Sequence, residues 1–126
     1  KPSSAASDVY KRQQLDWDKL ILIGHSNGGD MTMLFATKYP HLINKAISMD
    51  HRRMIMPRTE KPRLYTLRGC DYDADAGVLP TKQEQEQFHM KVVKLDGITH
   101  SNMGENGTEE QHRLINQSIS GFLTQK

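Results

Sequence analysis

A short aliphatic run that ends at a glycine-flanked serine constrains the fold of this chain more than any other feature. Residues Lys19 to Gly24 contain the unbroken aliphatic segment Leu-Ile-Leu-Ile, which is the pattern of a strand buried on both faces of a parallel sheet. From Asp30 to Tyr39 the larger side chains show helical spacing, and Pro40 is expected to end that helix. The residues at this spacing are Met31, Leu34, Phe35 and Lys38.

The remainder of the chain repeats the alternation of strand and helix. Further strands are predicted at Asn44 to Met49, Pro62 to Leu67 and Lys91 to Leu95. Helices are predicted from Thr81 to about Phe88 and from Thr108 onward, because both begin with a capping-box pattern. The alternation indicates right-handed crossovers. We therefore predict an α/β fold with a mostly parallel sheet of about four strands and flanking helices.

The composition is that of a soluble domain, and it excludes several classes of protein. The chain has 126 residues, enough for one domain or for a piece of a larger one. Its longest strongly apolar stretch, Leu20 to Ile23, falls far short of the roughly 20 residues of a membrane-spanning helix. The 17 basic and 15 acidic residues are mixed along the chain, so no nucleic-acid partner is expected.

Cysteine and histidine spacing gives no sign of a metal site. The single cysteine, Cys70, excludes an internal disulfide and a cysteine-based zinc site. The six histidines show no H-E-x-x-H or comparable spacing. We therefore expect neither a metal nor another cofactor.

The first 14 residues differ from the rest in composition. They carry small polar and charged side chains without helical or strand period, and the string SSAASDVYKRQ resembles translated sequencing-adapter sequence. We predict that residues 1–14 are a disordered or artefactual segment and that the folded unit comprises residues 15–126.

The segment Gly24-His25-Ser26-Asn27-Gly28 matches G-x-S-x-G between the predicted strand and helix. In this context a tight turn holds the serine hydroxyl clear of the sheet, and small flanking residues let strand and helix approach. Ser26 is therefore a candidate nucleophile. The backbone N–H of Asn27, at the start of the helix, is a candidate oxyanion-hole donor.

A serine nucleophile needs a base, and the base needs an acid to orient it. His100 lies just past the last predicted strand and is the preferred base, with His51 at the end of the second strand as the alternative. Three carboxylates follow the third strand and compete for the role of the acid: Asp71, Asp73 and Asp75.

Together, these motifs resemble the α/β-hydrolase superfamily, with residues 19–126 similar to its C-terminal half from the nucleophile elbow GHSNGG onward. The resemblance implies an acid about nine residues after the proline that introduces the strand, and Pro62 plus nine is Asp71. Counting back from the valine-and-proline pair Val78 and Pro80 favours Asp75 instead. We prefer Asp71, although Arg68 stands where the family usually has glycine.

The resemblance implies a serine esterase that acts through a Ser26-His100-Asp71 triad and an acyl-enzyme intermediate on a small-molecule, ester-like substrate. An acyltransferase or haloperoxidase on the same triad, or a non-catalytic binding module, is the alternative. The resemblance also implies that a missing N-terminal half of the domain would supply further strands and the second oxyanion donor. Alone, the chain is expected to be marginally stable.

The connection from Asp50 to Arg63 bears on the substrate. In the family, caps are often inserted here, but this stretch has room for a loop or a helical turn and not for a cap domain. It is basic and leaves the carboxyl edge of the sheet, where α/β proteins bind ligands. Arg52 and Arg53 are therefore candidates to bind an anionic part of a substrate, with a solvated charge cluster as the alternative.

Overall fold

The protein folds around a parallel four-stranded sheet. The computed structural model describes residues 20–125. Its strands are β1 (Ile21–His25), β2 (Lys45–Met49), β3 (Arg63–Arg68) and β4 (Lys91–Lys94). They lie side by side in sequence order, and every neighbouring pair is parallel. The predicted α/β class with about four strands is confirmed.

Within residues 20–125, three α-helices accompany the sheet: α1 (Asn27–Lys38), α2 (Lys82–Phe88) and α3 (Glu109–Thr124). Both predicted capping boxes are present. The hydroxyl oxygen of Thr81 accepts from the Glu84 N–H, and that of Thr108 accepts from the Gln111 N–H. Each box satisfies backbone donors that the first helical turn leaves free.

The buried face of α1 does not include Met31, one of the side chains that show helical spacing in the sequence. Met31 is 63% exposed. The residues buried instead are Gly29, Thr32, Met33 and Ala36. A Cβ atom at Gly29 would lie 3.0 Å from the Cβ of His51, so this position packs directly against the chain after β2. Close approach of the backbones therefore decides which face is buried.

Two apolar clusters form the core. One contains Met33 and Ala36 of α1 with Ala46 and Leu64 of the sheet. The other contains their strand neighbours Ile47 and Tyr65 with Ile115 and Phe122 of α3. Because successive residues of a strand point to opposite faces, the two clusters lie on the two faces of the sheet. The rings of Tyr65 and Phe122 stack with centroids 4.8 Å apart.

A buried lysine joins β2 to the end of α3. The Nζ atom of Lys45 donates to the carbonyl oxygens of Phe122 at 2.8 Å and Leu123 at 2.9 Å, and also to that of Gln125. These carbonyls lie in or just after the last turn of α3, where intrahelical donors are lacking. Burial, and secondarily the charge of Arg63, lowers the pKa of Lys45.

The outer edge of β1 is exposed in the part of the chain that the structure describes. There β1 pairs with β2 alone, and Ile21 and Ile23 are 38% and 45% exposed. The prediction that this strand is buried on both faces is not met within residues 20–125, because Ile21 and Ile23, which point to the same face of the sheet, are exposed. None of the helices in this range is long and apolar enough to cross a membrane.

Candidate active site

Ser26 occupies a sharp corner between β1 and α1. Its φ of 58° lies in the left-handed region, which residues other than glycine seldom adopt. The Ser26 N–H donates to the Met49 carbonyl at 2.9 Å, which ties the corner to β2. A Cβ atom at Gly24 would lie 2.1 Å from the Gly28 carbonyl oxygen, so position 24 requires glycine. A Cβ atom at Gly28 would meet nothing within 4 Å, which differs from the expectation that both glycines permit the approach.

Asn27 is the first residue of α1, directly after Ser26. The N–H groups of the first helical turn have no intrahelical acceptor, and the helix dipole makes this end positive. The Asn27 N–H is therefore chemically suited to bind a negatively charged oxygen next to the Ser26 side chain.

His100 lies beside Ser26. It follows β4 and immediately precedes the 3-10 turn Ser101–Met103. Its Nε2 atom is 3.1 Å from the Ser26 Oγ atom, and its side chain is 21% exposed. The structure thus brings together the serine and the histidine that the sequence singled out, although they are separated by 74 positions.

Asp50 faces the other nitrogen of the same imidazole ring. Its Oδ2 atom is 3.0 Å from the Nδ1 atom of His100, and its side chain is completely buried. Asp50 directly follows β2 with a φ of 55°, a second left-handed corner at the carboxyl edge of the sheet. Its Oδ1 atom accepts from the Gly69 N–H at 2.7 Å. The sequence analysis missed Asp50, although its position directly after a parallel strand was a usable signal.

Asp71 contacts the backbone of His100 and not its ring. Its Oδ1 atom accepts from the His100 N–H at 2.8 Å. Asp71 was expected to orient His100; the carboxylate that lies against the Nδ1 atom of the imidazole is instead that of Asp50. Asp75 forms an exposed ion pair with Arg52 at 3.2 Å, and Asp73 is exposed.

Two further aromatic rings contact His100. The Tyr72 ring stacks on it with centroids 3.7 Å apart and an interplanar angle of 20°. The His25 ring lies 4.8 Å away, and its Nε2 atom is 3.0 Å from the His100 carbonyl oxygen, positioned to donate. Sequence reasoning did not identify either residue as a neighbour of the histidine, because the stack depends on how the loops after β1, β3 and β4 meet.

His51, the alternative base, is enclosed away from solvent. Its side chain is fully buried, and its Nδ1 atom lies 2.5 Å from the Ser48 Oγ atom. Burial, reinforced by the positive charge of Arg68, lowers the pKa of His51 to about 4. His51 is therefore neutral at physiological pH and hydrogen-bonded into the core.

Arg52 and Arg53 lie on the exposed loop after Asp50. The backbone N–H groups of Arg52, Arg53 and Met54 all donate to Asp30 Oδ1, at 3.3, 2.9 and 2.8 Å. Burial alone would raise the pKa of Asp30, but these donors and the nearby His51 hold it below its ordinary value. The Arg52 guanidinium lies 5.9 Å from the centroid of the Tyr72 ring.

Two open clefts, of about 550 and 750 Å³, lie apart from this cluster. The larger is lined by Ile21, Lys45 and Arg63, the first residues of β1, β2 and β3, and the smaller by α2 and β4. Both therefore lack the residues around Ser26. Within residues 20–125, no three histidine, cysteine or acidic side chains come together in a way that could hold a metal ion.

The chain is similar to known hydrolases in sequence. The model of the alpha/beta hydrolase fold family matches residues 4–68, about half of the chain. A probable serine hydrolase of Drosophila melanogaster is 26% identical over 83 residues, which is 66% of this chain and 25% of that protein. The chain thus spans about a quarter of the length of this relative. No solved structure matches the chain.

Proposed function

Since the chain belongs to the α/β-hydrolase fold family, we propose that it forms the catalytic part of a serine esterase, with Ser26 as the nucleophile. The observation that carries the proposal is the continuous contact from Ser26 Oγ through the His100 ring to Asp50, at 3.1 and 3.0 Å. A hydroxyl that donates to an imidazole whose other nitrogen meets a buried carboxylate is the arrangement that activates serine.

The reaction proceeds in two halves. Ser26 Oγ attacks the carbonyl carbon of the ester while its proton moves to His100 Nε2. The imidazolium then gives that proton to the departing alcohol oxygen, which leaves an acyl group on Ser26. In the second half, His100 takes a proton from water as the hydroxide attacks the acyl carbon. The imidazolium then gives this proton to Ser26 Oγ as the acyl–oxygen bond breaks, which releases the carboxylic acid and restores the free serine and the neutral histidine.

Asp50 is the proposed acid of the triad. Its carboxylate accepts the Nδ1–H of His100, which leaves Nε2 free to accept the serine proton, and it stabilises the imidazolium that forms. Asp71, preferred on sequence grounds, is instead assigned to fixing the backbone that carries His100. The Asn27 N–H is the proposed oxyanion-hole donor, because it begins α1 next to the nucleophile.

Arg52 and Arg53 are proposed to contact an anionic part of the substrate. Both are exposed on the loop that leaves the acid at the carboxyl edge of the sheet. If so, Arg52→Ala and Arg53→Ala should raise KM for an acidic ester more than for a neutral ester of the same acyl length. Equal effects on the two esters would indicate that these arginines form a solvated surface cluster and do not contact the substrate.

The exposed edge of β1 is the proposed junction with the other half of the domain. The backbone of β1 is unpaired on one side within the described residues, and an unpaired strand edge favours pairing with a further strand. The exposed side chains of Ile21 and Ile23 would be covered at the same junction. The matching relative is about four times as long as the matched stretch, which leaves ample chain for that half. It would also supply the second oxyanion donor.

A fluorophosphonate probe tests the proposal, because it reacts covalently with an activated serine. In the full-length protein, the probe should label Ser26, and labelling should disappear in Ser26→Ala and fall at least about 100-fold in His100→Ala. Ser118→Ala is the matched control, since this hydroxyl donates to the Leu114 carbonyl on the surface of α3. Absence of labelling, or labelling that survives Ser26→Ala, would favour a non-catalytic module.

A further inference from the structure

We propose that Arg68 is a positioning residue for this reaction: its buried guanidinium holds the Asp50 carboxylate in the orientation that serves His100 and partly offsets its charge. The inference rests on the proposed function, because it assigns Asp50 the role of the triad acid. Arg68 is the last residue of β3.

Asp50 needs such a partner because its charge is fully removed from water. An isolated buried carboxylate is strongly disfavoured and takes up a proton instead. The two oxygens of Asp50 divide their contacts: Oδ2 faces His100, whereas Oδ1 accepts from the Gly69 N–H and lies 3.7 Å from Arg68 Nε. The ion pair with Arg68 thus holds the oxygen that does not contact the imidazole.

The guanidinium is itself held in one orientation. Arg68 is only 4% exposed. Its Nη1 atom donates to Thr66 Oγ1 at 3.3 Å and its Nη2 atom to the Tyr72 carbonyl at 3.4 Å. Three edges of the fork are therefore directed at three different groups, which a lysine ammonium could not reproduce with the same geometry.

The contact at Thr66 extends the network into the core. The Thr66 hydroxyl also accepts from Ser48 Oγ at 2.7 Å, and Ser48 Oγ lies 2.5 Å from His51 Nδ1. A chain of buried polar groups thus runs from His51 through β2 and β3 to Arg68. Burial lowers the pKa of Arg68, while Asp50 and Asp73 act in the opposite direction; the guanidinium stays charged across the physiological range.

A cation at this place also affects the pH range in which His100 acts as a base. The positive charge next to Asp50 weakens the attraction of the carboxylate for a proton on the imidazole. Removing the charge should make the Asp50–His100 pair hold its proton to higher pH. A substitution at Arg68 does not itself change the other charged and titratable groups that face this pair or Arg68. These groups are His25, Asp30, His51, Asp71, Tyr72 and Asp73.

Arg68→Met and Arg68→Lys in the full-length protein test the proposal with two readouts. The first is the pH profile of kcat/KM for a neutral p-nitrophenyl ester, and the second is the titration midpoint of the His100 ring followed by NMR. For Arg68→Met, we expect the acid limb and the midpoint both to move up by about one pH unit and kcat to fall about 10- to 100-fold. Arg113→Met, which removes an exposed arginine paired with Glu110, is the matched control and should change neither.

Arg68→Lys keeps the positive charge and removes the planar guanidinium, so it distinguishes the effect of the charge from that of the directed contacts. It also tests the proposal if Arg68→Met does not fold. Because the charge is kept, its midpoint should stay near that of the wild type, whereas kcat should fall about 10-fold because the directed fork is lost. Wild-type kcat in Arg68→Lys, or a loss of rate in Arg68→Met with no movement of the midpoint, would overturn the proposal. The NMR midpoint is independent of turnover, so an inactive wild-type protein would defeat the proposed function without deciding the role of Arg68.

Discussion

The Oδ2 atom of Asp50 and the Nδ1 atom of His100 lie 3.0 Å apart, although 50 positions separate the two residues in the chain. Asp50 is fully buried and directly follows β2, whereas His100 is partly exposed and follows β4. Because β3 lies between β2 and β4 in the sheet, the contact passes the end of β3. Gly69, the first residue after β3, donates its N–H to the same carboxylate. The loop after β3 therefore supports the pair without supplying the carboxylate.

Replacing each acid by its amide separates the role of Asp50 from that of Asp71. Asp50→Asn should lower kcat for ester hydrolysis by about 10³ to 10⁴, because the amide no longer stabilises the imidazolium and permits the wrong tautomer. Asp71→Asn should stay within about 10-fold of the wild type, because an amide oxygen can still accept from the His100 N–H. Asp75→Asn serves as the exposed control. A large loss in Asp71→Asn together with an active Asp50→Asn would reverse the two roles.

Gly69→Ala should damage the site while leaving the fold intact. An alanine Cβ would lie 2.8 Å from Asp50 Oδ2, 3.0 Å from the Ile98 carbonyl oxygen and 3.1 Å from the His100 backbone nitrogen. Displacing the acid and the histidine by a fraction of an ångström should lower kcat about 100-fold with a smaller change in KM. Steady-state kinetics together with circular dichroism would measure this. Gly121→Ala, whose Cβ meets nothing within 4 Å, is the control, and equal activity of the two variants would contradict the expectation.

His51 should make stability fall as the pH is lowered from about 6.5 to about 4. Its pKa is about 4 in the folded protein and near 6.5 when unfolded, so the unfolded state binds the proton first. The stabilisation is complete above about pH 6.5, and up to about 3 kcal/mol of it is lost as the pH falls to about 4. Urea denaturation across this range would measure the slope.

The slope should be flatter in His51→Gln, whereas the exposed His41→Gln should retain the wild-type slope. If the two variants and the wild type lose stability in parallel over this range, the buried imidazole is not the cause.

Lys45→Met should loosen the end of α3. The substitution removes the donor that contacts the carbonyls of Phe122, Leu123 and Gln125. A carbonyl that stays buried without a hydrogen-bond donor costs about 1–3 kcal/mol of stability. We expect the free energy of unfolding to fall by an amount in that range and amide exchange to accelerate first in the last turn of α3. Lys94→Met, an exposed position on β4, is the control. Unchanged exchange in α3 would show that water replaces the lysine without cost.

Local sequence patterns predicted the elements of the fold well, because the signals are themselves local. The capping boxes at Thr81 and Thr108 marked the starts of α2 and α3, and the G-x-S-x-G segment marked the corner at Ser26. The helical spacing of the large side chains did not identify the buried face of α1, because Met31, one of these side chains, is exposed. Contact of Gly29 with the chain after β2 selects the face, and that contact is not local.

The placement of the acid could not be obtained from spacing alone. Counting from Pro62 selected Asp71, which does lie within hydrogen-bond distance of His100, but at its backbone. Asp50 reaches the ring because a left-handed backbone conformation turns its side chain inward directly after β2. A positive φ at an aspartate has no strong signature in a single sequence. The stacking of Tyr72 on His100 similarly depends on two loops meeting in space.

The order of the strands has a consequence for how activity is acquired during folding. Ser26, Asp50, Gly69 and His100 each follow a different one of the four strands, and neighbouring strands are joined in a single parallel register. A slip of one position between any two neighbouring strands would displace part of the group relative to the rest by about 3.3 Å, which is enough to break its hydrogen bonds. Recovery of the proposed esterase turnover would therefore report correct alignment of these four strands, and a compact chain with misaligned strands would show no turnover.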